Sequence, residues 1–128
     1  MRFMTIVKGT KSVGAPPKAL MDAIAQLGVE AVQAGTLIQT GGLSSTADGA
    51  RVMVSKSKVT VIDGPFAEAK EVIGGYAVFE LRSKREAIEQ AVRFMELHKQ
   101  LWPEWEGEAE VRQMSEWQDF SHADGHRA

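Results

Sequence analysis

Cysteine is absent from the 128 residues, which removes disulfides, thiolate metal sites and cysteine nucleophiles from consideration. A reducing compartment is the natural setting for such a chain, and a cytoplasmic location is expected. Long apolar runs are missing as well. No stretch approaches the ~18 consecutive apolar residues of a membrane span, and in the opening "MRFMTIVKGTKSV" Lys8 and Lys11 break the apolar run before a signal-peptide core can form. Charge of one sign is not concentrated anywhere: the net charge is -2 with the signs interspersed. Nucleic-acid phosphates demand a basic face, so direct nucleic-acid binding is not expected. GxxxxGK[ST], GxGxxG, HExxH and GxSxG are all missing, which sets aside P-loop NTPases, Rossmann dehydrogenases, zincins and α/β-hydrolases.

What is present fits one domain, large enough to bury a core without covalent staples. "RFMTIV" reads as a first strand over residues 1–7, and "KGTKSVGAPP" as a loop whose paired prolines suit the entry of a helix. Over residues 18–34, Leu20, Ala23, Ile24, Leu27, Ala31 and Ala34 fall at three-and-four spacing along one stripe, and Gly35 supplies a stop. A strand at 36–40 is expected to break at Gly41-Gly42, and "ADGA" to mark a turn. "RVMVSKSKVTVI" reads as a hairpin around Lys56-Ser57, with arms 51–55 and 58–62. A further strand at 75–81, a second helix at about 83–102 closed by Pro103, and a short strand in "GEAEVRQM" complete the order. Strand, helix, strands, helix, strand is the βαββαβ pattern of a ferredoxin-like α+β sandwich with the hairpin inserted. The domain spans 1–115 and a tail follows over 116–128. Both helices carry one apolar stripe and cover one sheet face. Strand residues such as Met4, Ile38, Tyr76 and Val78 leave the other face apolar, so a second subunit is expected to pack there and the chain to form a homodimer.

Chemistry concentrates in "VTVIDGPFAEAKEVIGGYAVFEL". Asp63 accepts amide hydrogen bonds readily, Gly64 tolerates unusual dihedrals, and Pro65 fixes its own φ, so Asp63-Gly64-Pro65-Phe66 is a rigid corner, and "FAEAKE" can complete one helical turn after it. The Asp63 carboxylate either caps that turn or keeps an oxygen for a cleft. Gly74 and Gly75 precede a strand, where glycine marks a bulge or a close approach of ligand or backbone; Tyr76 either packs the sheet or aims its phenol at a pocket. On the second helix Ile88, Ala91, Val92, Met95 and Trp102 share an arc opposite Glu86, Glu89, Arg93, Glu96 and Gln100, and His98 lies inside the apolar arc. An imidazole there is either a satisfied core group or a general acid–base. Trp102 and Trp105 read as anchors of the helix end. His122, Asp124 and His126 resemble a metal cluster by composition, but a flexible terminus carrying Gly125 does not preform one, and no metal site is expected.

These residues carry a resemblance. "DGPFAEAKEVIGGYAVFEL" resembles the signature of the YCII-related, or DGPF-domain, family, and "RFMELHKQLWPEWEGEAEVRQM" resembles the C-terminal half of one branch of it, so that the likeness covers about residues 1–115. The resemblance implies a ferredoxin-like fold pairing into a dimeric α+β barrel. The wider superfamily includes small cofactor-free isomerases, monooxygenases and dehalogenating lyases, so no cofactor is expected. It implies an acid–base pair of an Asp and a His, which in this chain are Asp63 and His98; Gly64, Pro65, Phe66, Gly74, Gly75 and Tyr76 are expected, from the corner and glycine readings above, to line the cleft around a ligand. Where typical members carry Thr between the signature's Glu and Lys, this chain has Ala69. Two functions stay open. One is an enzyme that moves a proton on an enolisable or phenolic metabolite, with glycine amides near Gly74 and Gly75 steadying the oxyanion. The other is a non-catalytic dimeric module, associated with ECF-type sigma factors as relatives of this branch are.

Overall fold

The computed structural model describes residues 1–11, 14–66 and 72–115. The helical turn expected in "FAEAKE", Ala69 and the histidines of the tail lie outside the described residues. Six strands and two helices follow in the order β1 (Arg2–Gly9), α1 (Lys18–Gln33), β2 (Leu37–Gly42), β3 (Ala50–Ser55), β4 (Lys58–Asp63), β5 (Val72–Glu80), α2 (Lys84–Leu101) and β6 (Gly107–Gln113). Four strands make an antiparallel sheet in the order β2-β5-β1-β6, while β3 and β4 form a separate two-stranded hairpin. Both helices pack on one face of the sheet, α2 over β1 and β6 and α1 over β2. This is the ferredoxin-like α+β fold with an inserted hairpin.

Local chemistry explains the helix ends. Ser83 caps α2, its hydroxyl accepting from the Glu86 amide at 3.2 Å, and the Glu86 carboxylate reaches back to accept from the amide of Arg82, the residue before the cap, at 3.0 Å. α1 ends on a Schellman motif: Gly35, at φ 75°, lets Thr36 N–H reach the Ala31 carbonyl and its own N–H reach that of Val32. Only glycine takes that dihedral without a steric penalty.

Three expectations are corrected. β2 continues through Gly41 and Gly42, and β5 begins at Val72, so both glycine pairs lie inside strands. The reason is close approach: a Cβ on Gly75 would stand 2.8 Å from the Gly41 carbonyl oxygen of the neighbouring strand. Gly74 is the extra residue of a β-bulge, because the pairing passes from Val7↔Gly75 to Lys8↔Ile73. The inward stripe of α2 is also rotated from the expected arc. Ala87, Ala91 and His98 are buried, whereas Ile88 and Val92 are about half exposed; the small alanines let the helix lie close to β1, and the bulkier stripe beside them turns outward. "ADGA" falls at the end of a 3₁₀ turn, Thr46–Asp48, rather than at a simple reversal.

The closed core sits at one end of the layer between helices and sheet. Phe3, Leu81 and Ala87 are buried together there, with Phe79 and Val111 against them. On the sheet's other face the register places Met4 opposite Val78 and Ile6 opposite Tyr76, an apolar strip bordered by the ion pair of Lys8 and Glu110 at 2.5 Å. In the hairpin, a two-residue turn with positive φ at Lys56 and Ser57 joins the arms. It pairs Val52 with Val61 and Val54 with Val59, and all four are 65% to 75% exposed. Among the described residues, no helix is long and apolar enough to cross a membrane.

Candidate functional site

The sheet face beneath the helices is graded in side-chain size. Its cross-strand rows run Leu37–Phe79–Phe3–Gln113, then Thr40–Ala77–Thr5–Val111, then Gly42–Gly75–Val7–Ala109. Gly9 and Gly107 pair beyond them. Large groups fill the first row and almost nothing rises from the last, so the helices close on the sheet at one end and stand clear of it at the other. The result is a cavity of about 870 Å³, in the range that encloses a small organic ligand. Leu20, Ile24 and Leu27 of α1 form one wall; Phe94 and His98 of α2, with Trp102 and Trp105 beyond it, form the other.

At the hollow end Trp105 holds the wall in place. A Cβ on Gly107 would fall 2.3 Å from the Lys8 carbonyl oxygen and 2.4 Å from the Trp105 ring, and one on Gly9 would fall 3.1 Å from the Trp105 indole nitrogen. Two glycines therefore make the slot in which this indole lies. It packs on Trp102 at 6.0 Å and on the His98 ring at 4.6 Å, while Phe94 touches the same imidazole at 4.7 Å.

His98 is 7% exposed. Its Nδ1 lies 3.0 Å from the Phe94 carbonyl oxygen one turn earlier. A carbonyl can only accept, so Nδ1 carries the hydrogen, and Nε2, on the far side from the helix backbone, is the ring nitrogen left to exchange a proton. The imidazole is thus oriented by its own helix and packed by two aromatic rings.

A second polar group shares the cavity wall. Thr5, 5% exposed, lies in the second row, and its hydroxyl is the buried side-chain polar atom without a hydrogen-bond partner among the described residues. Such an orphan costs about 1–3 kcal/mol. Sequence reasoning passed over Thr5, although strand alternation signals it: it lies between Phe3 and Val7 on the helix-facing side of β1, where a hydroxyl needs a partner.

The expected site residues divide into two groups. His98, Gly74, Gly75 and Tyr76 line the cavity, although pairing with Ile6 and Gly41 directs the Tyr76 side chain to the opposite sheet face, and its ring lies across Gly41. Asp63, Gly64, Pro65 and Phe66 do not line it. Gly64 has a packing role, since a Cβ there would stand 1.7 Å from the Thr46 carbonyl oxygen, and its N–H donates to the Gly49 carbonyl at 2.7 Å. Phe66 lies under the Arg51 guanidinium, 4.3 Å from its ring centre. The corner thus fastens the base of the hairpin to the 3₁₀ turn. Asp63, exposed at the end of β4, pairs through its backbone with Ala50.

Ion pairs mark the edges of the domain rather than the cavity. The N-terminal ammonium donates to Glu80 at 2.7 Å and, with Arg2 beside it, holds that carboxyl below its ordinary value. Arg82 does the same to Glu86, and Lys8, seconded by Arg112, to Glu110.

These features define the class, a ferredoxin-like α+β domain hollowed between its helices and one end of its sheet. The chain belongs to the YCII-related domain family, whose model matches residues 1–118. A search of curated proteins finds no match to the chain.

Proposed function

We propose that the chain is a small enzyme that transfers a proton on a small apolar metabolite, with His98 as the group that moves it. The observation that carries this reading is Nε2, the nitrogen left over when Nδ1 is committed to the Phe94 carbonyl, on a ring that borders a cavity of ligand size. Nε2 takes a proton from an acidic carbon or a phenol, the ring becomes imidazolium, and the same proton returns to another atom of the substrate. The balance is that of an isomerase, or of the first half of an elimination, and needs only the chain's own side chains. The gap between the cavity lining and Asp63 makes any part for that carboxylate a matter of assembly: it joins His98 only if a second protomer brings it to the cavity mouth.

The test does not require the natural substrate. A panel of enolisable ketones is incubated with the protein in D₂O, and loss of α-proton signal is followed by NMR. Wild type is expected to accelerate exchange for at least one ketone, and His98→Gln, which keeps size and polarity, to lose that acceleration about a hundredfold or more, the usual reach of a general base. Full exchange activity in His98→Gln would sink the assignment. Asp63→Asn separates the pair: activity lost only in this variant's dimer would support delivery from the partner.

The assembly proposed with this function is a cytoplasmic homodimer. Support comes from an uncovered apolar surface, the valine face of the hairpin, where Val52, Val54, Val59 and Val61 stand in solvent; an exposed contiguous apolar patch of this kind marks an interaction surface. The same valine face is the one observation favouring the alternative, a non-catalytic module that docks another protein such as an ECF-type sigma factor. Val54→Lys with Val59→Lys distinguishes them. Sedimentation as a monomer would support the dimer, and an unchanged dimer that no longer captures purified sigma factor would support the module.

A further inference from the structure

The unpartnered Thr5 hydroxyl and the charge pattern of the cavity say what kind of molecule fits. Resting on the reading of the cavity as a substrate site, we infer that it takes an elongated, ring-bearing, largely apolar ligand, neutral or singly anionic, whose oxygen acceptor is held by Thr5 Oγ1. Three observations converge. Thr5 lines the cavity at 5% exposure, and its hydroxyl has no partner among the described residues; an O–H in that position is a donor waiting for a carbonyl or phenolate oxygen. The described lining contains Lys11 and no Asp or Glu, so a cationic ligand meets no counter-charge while an anionic end finds one. Finally, the walls are aliphatic along α1 and aromatic at Phe94, Trp102 and Trp105, a surface that gains by covering a flat ring.

The strand spacing points to an elongated ligand. Thr5 and Gly9 are four residues apart on β1, or roughly 13 Å at strand rise. Trp105 lies over Gly9 and touches His98. A ligand anchored at Thr5 must therefore extend past Val7 to reach the imidazole, which a single small ring does not do and a bicyclic body with a side group does. Thr5 is a specificity-determining residue in this arrangement: it selects the oxygen-bearing end and sets which part of the ligand stands before His98.

The experiment uses four naphthalene probes of one shape: 2-acetylnaphthalene, 2-naphthoate, 2-ethylnaphthalene and 2-naphthylmethylammonium. Binding is followed by quenching of tryptophan fluorescence and by the rise in Tm of the full chain. Wild type is expected to bind the ketone and the carboxylate at least tenfold tighter than the ethyl compound, and to bind the cation weakest. Thr5→Val, which keeps the β-branched shape, is expected to weaken the ketone about tenfold, the worth of one neutral hydrogen bond, and to leave the ethyl compound unchanged; Thr5→Ser restores the ketone. Equal affinity for ketone and ethyl probe, a Thr5→Val protein that binds the ketone as wild type does, or no binding of any probe would overturn the inference. Its failure is separable from that of the catalytic reading: ketone binding that persists in His98→Gln without proton exchange retains Thr5 recognition and discards only the base.

Discussion

Two ends of one layer in this molecule are built from the same strands and the same helices and do opposite things. At the first, Phe3 and Phe79 rise from the sheet to meet Ala87 and Leu81, and a small residue on the helix faces large ones on the strands, so the layer closes. At the second, the sheet offers glycine and alanine, and the helices offer Leu20, Leu27, Phe94 and His98. Their side chains border the cavity rather than fill it. The difference teaches that a cavity in a small α+β domain needs no lid or insertion. It arises when side-chain size falls along the strands faster than the helices can tilt to follow, and the indole slot of Gly9 and Gly107 props the helix end so that it cannot collapse.

The sharpest way to break the comparison is to hollow the closed end. Phe3→Ala removes a fully buried ring and is expected to cost about 3–5 kcal/mol, whereas Leu27→Ala on the cavity wall should cost less than half as much, because the site is already open. Urea melts of the two variants check this, and equal losses would mean that both ends are packed alike in solution. Next comes the prop. Gly107→Ala forces a methyl against the Lys8 carbonyl and Trp105, with an expected loss of about 1–3 kcal/mol and a shift in tryptophan emission as the indole leaves its slot; an unchanged spectrum would remove Trp105 from the wall. The smallest effect is acid weakening. The carboxyls of Glu80, Glu86 and Glu110 are held below the ordinary value of 4.5 in the folded chain. Their contributions are present above that value and fade as pH falls through the lowered ones. Tm is therefore expected to be level from pH 7 to about 5 and to drop below about 4.5. Glu80 and Glu86 serve the closed end and Glu110 ties Lys8 beside the open one, so Glu110→Gln should remove the part of the acid response that belongs to the hollow.

Element order was legible because each element repeats its own period: the stripe from Leu20 to Ala31, the alternation of "RFMTIV" and the valines of the hairpin need no neighbours to be read. The inward position of His98 was legible for the same reason. Glycine pairs misled. Gly41-Gly42 and Gly74-Gly75 look like strand ends to a local rule, and only the partner strand shows that Gly42 pairs with Gly75 and that the Gly41 carbonyl leaves no room for a side chain on Gly75. The rotation of α2 was hidden because two adjacent stripes are both apolar, and the choice between them is made by how closely Ala87 and Ala91 let the helix approach. The cavity was invisible for a related reason: its floor is a property of register, spread over four strands far apart in sequence. The position of Asp63 depends on where the hairpin is carried, which no window of sequence around "DGPF" contains.

The graded sheet has one more implication. Each row spans two residues, roughly 7 Å of strand, so the chamber has graduations, and its length is set by the first row that bears side chains of real size. Enlarging Ala77 or Ala109 would shorten it by one graduation while Phe3 and its neighbours stay untouched. A lineage with this floor can change the size of molecule it accepts by single substitutions and keep the part that folds it.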